Sequence, residues 1–337
     1  MAIHIHYQDD TGDHERDYEQ WRGLLLTVSN APKPALRLRT AAGKRMRLDV
    51  GDLPLLWAEI DEAYYGVSIY RHLPQHQDWL PTISSADVQQ IASASASVEQ
   101  QKRLWLKHFV QALRNVDISC LSDGLWSLEY CDGSQICHPH WRGKYRLRDW
   151  NLGGGDEDFR LLHAPVVYLD WCMSGNGQVL NVFAPQRKDS GRVKWWRKLV
   201  RAGQLPPILA WYIHGLNAYL ILDGHDRLQA CLLEGVRPAF AVLTSFYEVA
   251  VQSDPRREQA ILHQVNLVAE RISQGTHINP DSFVSMQKLL AQAFDRRPMR
   301  RFITRSTASL QPQIWQDEVS AFMHRKGQPE AFYLEGL

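Results

Sequence analysis

Between Asp223 and Arg227 the chain sets four ionisable side chains around one glycine, Asp223-Gly224-His225-Asp226-Arg227, after an apolar run and before an amphipathic one. A guanidinium keeps its charge at any physiological pH and forks onto phosphate oxygens. Aspartate and histidine can hold a cation or carry a proton to or from a nucleophile. Gly224 allows a tight turn and lets the backbone approach a ligand closely. The structural alternative is that Asp223 or Asp226 caps a helix, His225 lies in a surface turn and Arg227 is solvated. Two carboxylates repel a phosphate, so in the functional reading Asp223 or Asp226 binds Mg²⁺, caps the helix or orients a proton transfer.

The flanking elements give these residues their direction. Tyr219 to Leu222 is short and apolar, as a buried strand is, whereas Leu228, Cys231 and Leu232 recur at helical spacing until Gly235. A strand entering a helix leaves the first-turn N–H groups pointing outward, and the helix dipole favours an anion there. Upstream, Val166 to Cys172 and Gln178 to Phe183 are strand-like and flank Ser174-Gly-Asn-Gly177, which predicts a hairpin. A helix is predicted over Arg192 to Ala202, followed by a strand over Ile208 to Tyr212.

Asp223-Gly-His-Asp-Arg-Leu228, with the apolar helix after it, resembles the signature turn of the ParB/sulfiredoxin superfamily. Asn181-Val-Phe-Ala-Pro-Gln-Arg-Lys188 is similar to the first box of the ParB N-terminal domain, and Leu205-Pro-Pro-Ile208 to the segment leading into its next strand. The likeness spans about residues 166–243. It implies a nucleotide, CTP, ATP or ADP, bound with Mg²⁺ through the turn. Gly224 would then allow backbone approach, His225 and Arg227 would contact phosphate, and Arg187 would add a second cation. Asp223, His225 and Asp226 would be the candidate catalytic groups for phosphoryl transfer or nucleotide hydrolysis. ParB proteins have a Glu and two Arg after the glycine, where this chain has His225, Asp226 and a single Arg227. Sulfiredoxins have their reactive cysteine where His225 stands, which excludes cysteine repair through that position. The free-serine kinase branch, with Asp-Gly-His-Thr-Arg, differs from this turn at one residue.

With 337 residues and 45% hydrophobic content the chain can bury a full core. A net charge of +1 gives no global pull toward nucleic acid or membrane. No apolar run approaches the ~20 residues needed to span a bilayer, and the first ten residues lack a signal-peptide pattern, so a cytoplasmic location is expected. Five scattered cysteines suit reduced thiols.

The expected fold class is α+β, mixed α/β with a ParB/sulfiredoxin-like central domain and a helical C-terminal appendage. Three parts are predicted: residues 1–158, 159–250 and 251–337. In the first, Tyr18 to Leu26, Leu53 to Tyr65 and Val98 to Val116 look helical. Leu36 to Thr40 pairs with Arg45 to Asp49 as a hairpin, and Trp126 to Tyr130 pairs with Gln135 to Cys137. Ser93 to Ser97 is a loop or a helix end. In the last part, Arg256 to Ser273, Asp281 to Phe294 and Ile314 to Arg325 look helical.

Other clusters carry paired readings. Cys131, Cys137, His138 and His140 have zinc-ligand chemistry without a standard spacing, or belong to an ordinary hairpin. Asp156 to Asp158 would suit a hard cation or a solvated linker. The basic and aromatic run Arg192 to Arg201, with Arg296, Arg297, Arg300, Arg301 and Arg305, suits DNA or RNA, or else surface helices and loops. Twelve tryptophans fit a core or a protein interface, which keeps a catalytically silent, immunity-type or regulatory protein-binding factor as the alternative function.

Overall fold

The computed structural model describes residues 1–7, 23–42, 44–61, 63, 65–131, 164–171, 178–184, 187–250, 252, 254–275, 280–294, 298–306 and 308–327. The expected α+β class holds: helices accompany two sheets, most of whose strand pairs are antiparallel. Among the described residues two compact units separate, one running to residue 246 and resuming at 302, the other covering residues 247–301.

In the first unit, β1 (Ala2–Tyr7), β2 (Gly23–Ser29), β3 (Leu36–Ala41), β4 (Arg45–Val50), β5 (Leu53–Asp61) and β6 (Gly66–Arg71) precede α1 (Ser85–Ala94), α2 (Val98–Arg114) and β7 (Gly124–Cys131). Then come β8 (Val166–Asp170), β9 (Gln178–Leu180), α3 (Gly191–Arg201), β10 (Ile208–Ile213), β11 (Ala218–Asp223), α4 (His225–Glu234) and β12 (Phe240–Val249). The second unit holds α5 (Pro255–Ser273) and α6 (Pro280–Ala293). Strands β13 (Met299–Ile303) and β14 (Ala308–Ser309) lead to α7 (Pro312–Arg325), which returns to the first unit.

One sheet runs β1-β2-β7-β12-β10-β11-β9, the other β14-β3-β4-β5-β6-β8. Every residue of β10 is buried, as expected of a strand covered on both faces, and it pairs with β12 in parallel and β11 antiparallel. Helix α3 covers this part of the sheet with Val193, Trp196 and Val200, a helical stripe capped at Ser190, whose hydroxyl accepts from the Val193 amide. Helix α4 ends at Gly235, whose φ of 63° lets its N–H turn back onto the carbonyls of Cys231 and Leu232.

Three predictions from sequence change. Leu53 to Tyr65, expected as a helix, contributes the strand β5 between β4 and β6; Leu55, Leu56, Trp57 and Ala58 are consecutively buried, which no helix face would do. In the predicted helix Tyr18 to Leu26, the described part from Gly23 onward is strand β2. Trp126 to Glu129 of β7 pair with β2 on one edge and β12 on the other, while the predicted hairpin partner Gln135 to Cys137 lies outside the described residues. Strands β8 and β9, predicted as a hairpin, lie in different sheets, paired with β6 and β11. The Leu36 to Asp49 hairpin, the Val98 to Val116 helix and the three C-terminal helices form as expected, but α7 packs on the N-terminal sheet.

Candidate functional site

Residues 223–227 form the corner where β11 enters α4. Gly224 is the residue before the helix, with φ 110° and ψ 22°, a left-handed conformation that favours glycine, and it provides no side-chain cap for the first turn. The amino end of α4 is thus not neutralised by a capping oxygen from that residue.

The four side chains divide into two pairs of roles. Arg227 folds back over the corner at 1% exposure: its Nη2 donates to Asp223 Oδ2 at 2.8 Å, its guanidinium lies 5.3 Å from the Trp196 ring centroid of α3, and a Cβ on Gly224 would sit 2.8 Å from Nη2. Its Nε has no hydrogen-bond partner among the described residues. Asp223 is therefore committed to Arg227. Asp226 and His225 face the other way, toward the segment joining β6 to α1. The His225 ring lies 4.9 Å from Phe183 and 5.1 Å from His76, which itself lies 5.1 Å from Phe183. Trp79 closes the aromatic group at 4.9 Å from Phe183.

Asp226 is 6% exposed, and its Oδ2 is 3.2 Å from Nε of Arg192 in the first turn of α3. Arg192 also reaches Asp78 Oδ2 with Nη1 at 3.5 Å, and His76 Nε2 is 3.9 Å from Asp78 Oδ1. Asp226 Oδ1 is buried with no hydrogen-bond partner among the described residues. Burial pushes the Asp226 carboxyl up, while Arg192 and His76 pull it down. On α2, burial pushes the His108 imidazole down, opposed by Asp87 and Asp223.

The predicted site residues are only partly brought together. Asp223, Gly224, His225, Asp226 and Arg227 share the corner, whereas Arg187 is 84% exposed on its side chain and forks onto Asp189 with Nη2 2.9 Å from Oδ2. The cation that reaches the corner is Arg192, which the sequence marks only as part of a basic helix. His76, Asp78, Trp79 and Phe183 complete the surroundings, and no sequence spacing ties the His76 loop to residues 223–227.

As to metal, Asp223 is bound to Arg227 and Asp226 is paired with Arg192, and among the described residues no group of three or more His, Cys, Asp or Glu side chains is placed to hold an ion. Cys137, His138, His140 and Asp156 to Asp158 lie outside the described residues, as do Arg296 and Arg297. On α3, Arg197 and Arg201 bond Glu234 of α4, so much of the helix's charge is matched within the fold. No family model, curated protein or solved structure matches the chain. No helix among the described residues is long and apolar enough to cross a membrane.

Proposed function

We propose that this chain is a ParB/sulfiredoxin-like protein that binds a nucleoside diphosphate or triphosphate by its phosphates at the corner between β11 and α4. The observation that carries the reading is the helix amino end at Gly224, left-handed and without a side-chain cap, enclosed by Arg192, Arg227, His76 and His225. The order strand, helix, hairpin, helix, strand from β9 to β12 sets that corner beside α3. His225 and the first-turn amides would contact phosphate. Arg227 would hold the turn through Asp223, and Arg187 would contribute only after leaving Asp189. Mg²⁺ would arrive with the nucleotide, bound by phosphate oxygens. If the chain turns the nucleotide over, phosphoryl transfer or hydrolysis follows, with Asp226, whose buried Oδ1 has no hydrogen-bond partner among the described residues, as the candidate carboxylate.

Thermal denaturation with CTP, ATP or ADP, each with and without Mg²⁺, tests this. A ligand at a hundredfold over Kd stabilises by about 2.7 kcal/mol, a rise of several degrees. An unchanged midpoint with all three nucleotides would remove the proposal.

A second reading rests on the helical unit. Helix α5 has no fully buried residue, and Leu262, Leu267 and Ile272 on it and Val284 and Leu289 on α6 are exposed apolar side chains that a protein partner would cover. DNA is the weaker partner, because Arg197 and Arg201 of the basic helix are already bonded to Glu234.

A further inference from the structure

Of the cations around the corner, Arg227 is locked and Arg192 is loosely held. Arg227 is almost fully buried, bonded at 2.8 Å and packed on Trp196. Arg192 is a third exposed, and its distances to Asp226 and Asp78 are 3.2 and 3.5 Å, longer than the 2.7–2.9 Å of a strong charge-assisted bond. It also stands in the first turn of α3, where the helix dipole disfavours a cation, so its position depends on those two carboxylates. We propose that Arg192 is the phosphate-binding cation of this site, and that Asp78 and Asp226 hold it in reserve until an anion draws it away. The inference rests on the nucleotide reading and names the residue that would govern affinity.

The exchange is consistent with its surroundings. A phosphate at the amino end of α4 offers Arg192 two or three oxygens in place of one carboxylate contact on either side. Asp226 is then left facing His76, Asp78 and Arg227, and because burial already favours its neutral form, it can take up a proton when Arg192 departs. Asp78, whose side chain is far more exposed than that of Asp226, returns to solvent.

Calorimetric titration of the full chain with ADP and, separately, with inorganic pyrophosphate tests the proposal. Arg192→Gln should weaken both probes by at least about tenfold, the scale of one lost charge-assisted bond, and Arg192→Lys should recover part of that loss. Asp78→Asn should tighten both by a few-fold, because it releases Arg192 without removing it. Its exposed position makes it the arm least exposed to misfolding, which near-ultraviolet circular dichroism would check in every variant. Unchanged affinity in Arg192→Gln, or weakening in Asp78→Asn, would overturn the proposal while leaving nucleotide binding intact. Silence of both probes with the wild type would sink the nucleotide reading itself.

Discussion

At the scale of single residues the corner is built on one geometric dependence: Gly224 and Arg227 occupy the space of one another's absent or folded side chains. Gly224→Ala would need a left-handed φ and place a methyl 2.8 Å from Arg227 Nη2, so it should destabilise the chain by about 1–3 kcal/mol and expel the guanidinium. Arg227→Ala should cost about 3 kcal/mol, because it strands the Asp223 carboxylate and removes the contact with Trp196. Urea denaturation of both variants would measure this; a loss below ~1 kcal/mol for Arg227→Ala would show that its burial contributes little. The sequence marks Asp223 to Arg227 as chemically dense but does not rank them. It cannot tell that Asp226 retains a buried oxygen without a hydrogen-bond partner among the described residues, because the surroundings of Asp226 are set by Arg192 and His76, brought in from elsewhere in the chain.

At the scale of elements, α3 and α4 are joined at the far end of α4 from the corner by Glu234, its last residue, which accepts from Arg201 Nε and Nη2, both at 2.7 Å, and from Arg197. These guanidinium bonds hold the Glu234 carboxyl at about 2, below its ordinary value of 4.5. The folded chain therefore gives up this proton more readily than the unfolded chain. The stabilisation is complete above about pH 4.5 and is lost as pH falls toward 2. Glu234→Gln should flatten the fall of melting temperature over that interval relative to wild type; parallel curves would show that the bonds do not link folding to pH. Elements with one clean period were legible: the stripe Val193, Trp196, Val200 gives α3, and Asp254 before Pro255 marks the start of α5. Strand β5 was not, because its apolar positions fit helical spacing as well as a doubly covered strand, and only its pairing with β4 and β6 decides. Likewise Ser174 to Gly177 has turn chemistry, but β8 and β9 find partners in separate sheets, a choice made by long-range packing.

At the scale of the whole molecule, the first unit is assembled from distant stretches of chain. Trp315 of α7 is fully buried, donates from Nε1 to the Met46 carbonyl at 2.9 Å and lies 5.0 Å beneath Arg45. Around it Trp57, Tyr70, Val319 and Phe322 form a core of their own. Trp315→Ala should cost about 4 kcal/mol, the scale of a large aromatic removed from a packed interior. Two-state chemical denaturation would measure it, and a loss under ~1 kcal/mol would mean that α7 is a dispensable cover. Glu318 of the same helix binds Arg47 Nη1 at 2.6 Å and accepts from Trp57 Nε1 at 2.7 Å. Arg47 and Glu318 are 271 residues apart. A ribosome adding about 5–20 residues per second therefore releases the early strands tens of seconds before the segment that seals them. Throughout that interval the nascent chain exposes Trp57 and Tyr70 to any chaperone or protease within reach, so translation that stalls before α7 should yield a product marked for degradation.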